Sequence, residues 1–127
     1  MAELVKATEL PAVEMRSPSL CPDLPWVGMD NGRIGEMVAE HFLNRGYRHF
    51  AVYTLDTEPF FRERVENYLS CLDQRGLTCS VLPSGHQTRD VDWESTQQRL
   101  RDWLEELEKP VGVFAANDQL GARVLDA

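Results

Sequence analysis

Three short runs rich in β-branched and aromatic residues, HFAVYTL (49–55), TCSVLP (78–83) and VGVFAAND (111–118), are separated by stretches with helical hydrophobic spacing. Successive strands joined through a helix run parallel, by right-handed crossovers, and a parallel sheet needs helices on both faces. This alternation predicts an α/β fold built of parallel-sheet βαβ layers.

The helical stretches can be placed from their apolar positions. Ile34, Met37, Val38 and Phe42 fall on one helical stripe, with Asp30 or Asn31 available as cap and Gly46 as terminator. Val65, Tyr68, Leu69 and Leu72 form a second stripe before Gly76, and Leu100, Trp103, Leu104 and Leu107 a third. QLGARVLDA opens one more helix. Upstream, PAVEM (11–15) and WVGM (26–29) are β-prone, and the three prolines of RSPSLCPDLP between them require a loop. No strand-helix unit precedes PAVEM, and the last helical stretch reaches Ala127 without a terminating signal, so the chain is expected to be an excerpt of a longer protein.

Composition narrows the function. The 127 residues, 43% hydrophobic and 27% charged, suit one soluble globular unit. Thirteen Lys and Arg against twenty-one Asp and Glu give a net charge of -8, opposite to the basic footprint that phosphate binding requires, so the stretch is not expected to bind nucleic acid by itself. Cys21, Cys71 and Cys79 are odd in number and lack CxxC spacing, which fits a reducing, cytoplasmic setting and no zinc site. No run is long and apolar enough for a membrane span, and the N-terminus lacks a signal-peptide core.

Ligands of parallel α/β sheets sit beyond the carboxyl ends of the strands. Four places qualify: Asp30 and Asn31, the loop from Asp56, the RDVDW loop, and Asn117 with Asp118. Asp30 and Asn31 read as a helix cap or as pocket residues; Asn117 and Asp118 as a cap or as acceptors for ligand hydroxyls. Arg62 and Arg64 stand where a helix opens, a place unfavourable to positive charge, so one of them is a candidate guanidinium for hydroxyls or a carboxylate. Trp103 is in phase with the leucines and reads as core. Trp93 precedes that stripe in a polar loop, where its plane could cover the carbon face of a sugar ring. His41, His49 and His86 have no evident nucleophile or metal-ligand spacing around them, and GRIG does not complete a phosphate-binding glycine pattern, so no enzyme motif, metal site or cofactor is predicted.

At these residues the sequence resembles the sensor domain of LacI/GalR-type regulators and the related periplasmic sugar-binding proteins. VGMDNGRIGEMVAEHFLNRGYRHFAVYT, the helix around Arg64, and VFAANDQLGARVL are similar to three family motifs in order. QQRLRDWLEELEKPVGVFAANDQLGARVLDA most resembles the xylose operon regulators, which carry an AraC-type DNA-binding region. The resemblance implies a partial periplasmic-binding-protein-like type I domain, with residues 1–46 in a first lobe and 47–127 in a second, hinged around a sugar. Arg64 is then implied to grip the sugar, Trp93 to stack on it, and Asn117 and Asp118 to bind at the strand end, with Asp30 and Asn31 beside the cleft less directly. Asn67 stands where the family has glycine, and Gly121 where it has alanine.

The resemblance implies a sugar effector, xylose or another monosaccharide, for a transcription regulator. Operator DNA would be reached only through regions missing from this chain, and a homodimer is expected. The rival expectation is the solute-binding component of a sugar transport system.

Overall fold

The computed structural model describes residues 7, 10–15, 21–55, 57–83 and 93–127. The chain divides into two compact units, Met1–Asp30 and Asn31–Ala127. In the first, PAVEM and WVGM meet in a single parallel bridge between Glu14 and Trp26. Its backbone bonds are Glu14 N–H to the Pro25 carbonyl (2.8 Å) and Val27 N–H to the Glu14 carbonyl (3.0 Å).

The second unit runs α1 (Asn31–Asn44), β1 (His49–Thr54), α2 (Pro59–Asp73), β2 (Cys79–Pro83), α3 (Trp93–Glu106), β3 (Val111–Ala115) and α4 (Asp118–Asp126). The strands form one parallel sheet in the order β2-β1-β3, with Phe50 beside Cys79 and Gly112, and Tyr53 beside Leu82 and Ala115. Alternate residues of β1 therefore serve opposite faces. Phe50 and Val52 meet Phe114 and the helix residues Ala39, Tyr68 and Leu72, so α1 and α2 cover one face. Tyr53 meets Leu100, Ala116 and Leu120, with Trp103, Leu104 and Val124 around them, so α3 and α4 cover the other.

The predicted alternation is what forms, with adjustments that have local causes. Gly46 (φ 80) and Gly76 (φ 67) both take the left-handed conformation that ends α1 and α2 as their positions suggested. On α1 the buried positions are Gly35 and Ala39, whereas Met37, expected on the apolar stripe, is exposed. The reason is close approach. A Cβ at Gly35 would run into the Arg64 carbonyl oxygen of α2, so only small residues fit the seam, and the larger Val38, Phe42 and Leu43 pack beside it. Gly112 of β3 is similarly covered, by the Phe42 ring, whose Cγ would lie 2.8 Å from an added Cβ.

Ala39 is fully buried against Phe50, Val52 and Phe114, so α1 belongs to the same compact unit as the sheet, and the division falls between Asp30 and Asn31.

Candidate ligand-binding site

From β1 the chain reaches β2 across one face of the sheet and returns to β3 across the other. The carboxyl ends of β1 and β3 therefore flank a switch point, the usual ligand position in such sheets. The ladder extends there by one bond, Ala116 N–H to the Tyr53 carbonyl at 3.1 Å.

Arg64 reaches this point from α2. Its Nε donates to Asn31 Oδ1 (2.9 Å), and its Nη1 donates to the Ala116 carbonyl (2.8 Å). The Phe60 ring centroid lies 5.4 Å from its Cζ. One side chain thus joins the start of α1, the middle of α2 and the end of β3. Both acceptors are neutral, and the described residues show no carboxylate paired with Arg64, so half-burial leaves a directed positive charge with N–H groups to spare. The expectation that Arg64 stands at a helix opening needs correction. Proline, which has no amide hydrogen to satisfy, starts α2 at Pro59, and this sets Arg64 in the second turn rather than at the unfavourable end.

Asn117 caps α4, its Oδ1 accepting from Leu120 N–H at 2.8 Å. Of the two readings left open, the cap is observed, and it orients the residue directly after the carbonyl that holds Arg64. Asp118 is exposed in the first turn of α4, where the helix dipole favours a carboxylate. Arg64, Asn31 and the chain leading into Asn117 are therefore gathered at one place. Asp30 is exposed and lies in the other compact unit.

Trp93 is the first residue of α3 and is 53% exposed. Its ring faces the Arg123 guanidinium of α4, with Cζ 5.1 Å from the centroid. Gln97, one turn further along α3 and buried, donates to the Arg123 carbonyl (3.1 Å). Neither Gln97 nor Arg123 stood out in the sequence, although Gln97 lies one turn before Leu100 on the apolar stripe, where a polar residue signals a specific partner. Trp103 packs in the core, as its register suggested, with its indole N–H donating to Ser80 Oγ (2.9 Å). The two tryptophans of α3 do different things.

Asn67 donates back to the Glu63 carbonyl (2.8 Å) and lies against α1, where a Cβ at Gly32 would stand 3.2 Å from its Nδ2. The bulk of Asn67 is thus met by a glycine on the facing helix. At Gly121 an added Cβ would make only an ordinary contact, 3.8 Å from the Ala115 Cβ. The loop from Asp56 is described only from residue 57; Asp56 itself, residues 89–92 of the RDVDW loop, and His86 lie outside the described residues.

The remaining polar features sit elsewhere. His49 Nδ1 is 3.6 Å from Glu108 Oε2 beside a depression of about 160 Å³ that Arg48, Thr78, Ser80 and Val111 also line. This depression is at the amino ends of the strands, opposite Arg64. Among the described residues no group of three His, Cys, Asp or Glu side chains could hold a metal ion, and no helix is long and apolar enough to cross a membrane. Burial pushes the Cys79 thiol up to about 12, which keeps it protonated and unreactive. Burial, and then the nearby Cys79, raise the Tyr68 phenol as well.

The chain is thus a layered, parallel α/β unit with Arg64, Asn31 and the start of α4 gathered at its switch point. The profile of the periplasmic binding protein-like domain matches residues 39–127, and the chain belongs to that family. Among curated relatives, it is 25% identical over 132 residues to the xylose operon regulatory protein of Haemophilus influenzae, covering 98% of this chain and 34% of the relative. The corresponding protein of Escherichia coli K12 is 28% identical over 116 residues, covering 82% of this chain and 27% of the relative. The chain thus spans about a third or less of these relatives.

Solved structures agree on the fold. A sugar-binding protein of a sugar ABC transporter from Bacillus halodurans superposes with a TM-score of 0.72 at 23% identity, covering 99% of this chain and 43% of that one. A periplasmic binding protein/LacI transcriptional regulator from Alkaliphilus metalliredigens, complexed with D-xylulofuranose, gives 0.69 at 17% identity, covering 93% and 43%.

Proposed function

We propose that this chain is part of the effector-sensing region of a sugar-responsive transcription regulator, and that its effector is a monosaccharide, D-xylose first. The observation that carries the reading is Arg64, a guanidinium fixed by two neutral acceptors at the carboxyl end of the sheet with further donors to offer. Hydroxyls of a sugar are suitable acceptors for such donors. The similarity to two xylose operon regulatory proteins supports the choice of sugar.

In this reading Arg64 binds the sugar hydroxyls and Trp93 covers the carbon face of its ring. Asn117 and Asp118 supply polar groups at the strand end, while Asp30 and Asn31 act beside the site. The full-length protein acts in the cytoplasm as a homodimer and reaches operator DNA through regions outside this chain. A bound sugar can shift it only by the difference in its affinity for two states.

The test is calorimetric titration of the full-length protein with D-xylose and a panel of monosaccharides, repeated for Arg64→Ala and Trp93→Ala, with operator affinity measured in parallel. Selective binding that both variants lose, and that alters operator affinity, is expected. Sugar binding without any change in DNA affinity would instead favour a transport role.

A further inference from the structure

We propose that Asn31 is a positioning residue for ligand recognition: its Oδ1 holds the Arg64 guanidinium in the orientation that presents the remaining N–H groups to a sugar. An asparagine at a helix start commonly spends its oxygen on the helix's own free amides. Here that oxygen accepts from a side chain thirty-three residues away, at 2.9 Å.

The two anchors hold separate parts of the guanidinium. Nε is bonded to Asn31 and Nη1 to the Ala116 carbonyl, while Nη2 is engaged by no described residue. Two of five N–H donors are thereby used for orientation and the others remain for an acceptor. Arginine has a long, freely rotating side chain, and each bond immobilised before binding need not be immobilised by the ligand. The backbone is restrained too, because the Arg64 carbonyl abuts Gly35 of the same helix that begins with Asn31. Of the two anchors only Asn31 is a side chain, so it is the one that sequence can set.

The choice of sugar as ligand rests on the proposed function, but the hydrogen bond can be tested without it. In the full-length protein, Asn31→Ala removes the acceptor, Asn31→Asp keeps one, and Asn31→Gln moves the amide by one methylene. The readouts are D-xylose affinity by calorimetry and solvent-exchange protection of the Arg64 Nε–H by NMR. Asn31→Ala should weaken D-xylose binding about tenfold and abolish the protection, with Asn31→Asp recovering most of both. Asn31→Gln gives the same reading as Asn31→Ala should the latter fail to fold.

Unchanged protection in Asn31→Ala, or lost protection with unchanged D-xylose affinity, overturns the proposal. If the wild type ignores D-xylose, the sugar reading fails while the resonance still decides the positioning role: protection lost in Asn31→Ala and regained in Asn31→Asp supports it.

Discussion

The two faces of the sheet are held by different means. On one, α1 and α2 approach so closely that Gly35 lies on the Arg64 backbone, and the core beneath is almost wholly apolar. On the other, polar contacts tie α3 to β2, through Trp103 and Ser80, and to α4, through Gln97 and the Arg123 carbonyl and through Arg123 and the Trp93 ring. Among the described residues, Tyr53 Oη and Gln97 Oε1 are buried without partners on that side and Tyr68 Oη on the first. The difference teaches that close backbone approach sets the helices on the guanidinium side, with the two Arg64 bonds at its rim, whereas polar side-chain contacts set those on the tryptophan side.

Substitutions can break or sharpen this contrast. The largest effect is expected from Gly35→Ala, because the new methyl meets main chain on a packed helix and cannot be absorbed by a rotamer change. A loss of about 3 kcal/mol in unfolding free energy is expected from such overpacking, measured by denaturant titration. A variant within about 0.5 kcal/mol of wild type would show that the seam is loose after all.

Alkali probes the same face. Cys79, packed against that core, has its thiol raised from 9.0 to about 12, so the folded chain holds the proton more tightly than the unfolded one. Its contribution is fully present below pH 9 and is lost as pH rises towards 12, and the raised Tyr68 acts with the same sign. Thermal unfolding followed across that range should show a shallower decline in Cys79→Ala than in wild type. Equal slopes would remove Cys79 from the account.

The opposite face should respond more mildly. Trp103→Phe keeps an aromatic ring but removes the bond to Ser80 and part of the indole's volume, and a cost of about 1–2 kcal/mol by chemical denaturation is expected. Gly121→Ala, with an ordinary contact awaiting the methyl, should stabilise α4 by about 0.5–1 kcal/mol. Destabilisation there would mean that this face is as tightly fitted as the first.

Periodicity made the sheet and its helices legible because strands and helices repeat along the chain. It placed Trp103 with Leu100 and Leu104 in the core, whereas Trp93 was set apart by the polar residues that precede it. Periodicity has no information about which residues meet between helices. The stripe through Ile34 and Met37 therefore missed the seam at Gly35, where approach distance rather than hydrophobicity selects the residue. The contact between Asn31 and Arg64 was hidden for a related reason. Each residue was noticeable alone, as a cap and as a misplaced charge, but their meeting depends on how two helices cross. Pro59 was the legible clue that α2 begins early enough to seat Arg64 in its second turn.

The unequal settings of Trp93 and Trp103 give the chain a built-in optical signal. Trp103, hydrogen-bonded and packed, has surroundings that change only if the fold opens, whereas the half-exposed indole of Trp93 lies under a cation carried by α4. Any small shift of α4 changes that indole's electrostatic surroundings and so its emission, which makes helix movement on this face observable by intrinsic fluorescence with no label attached.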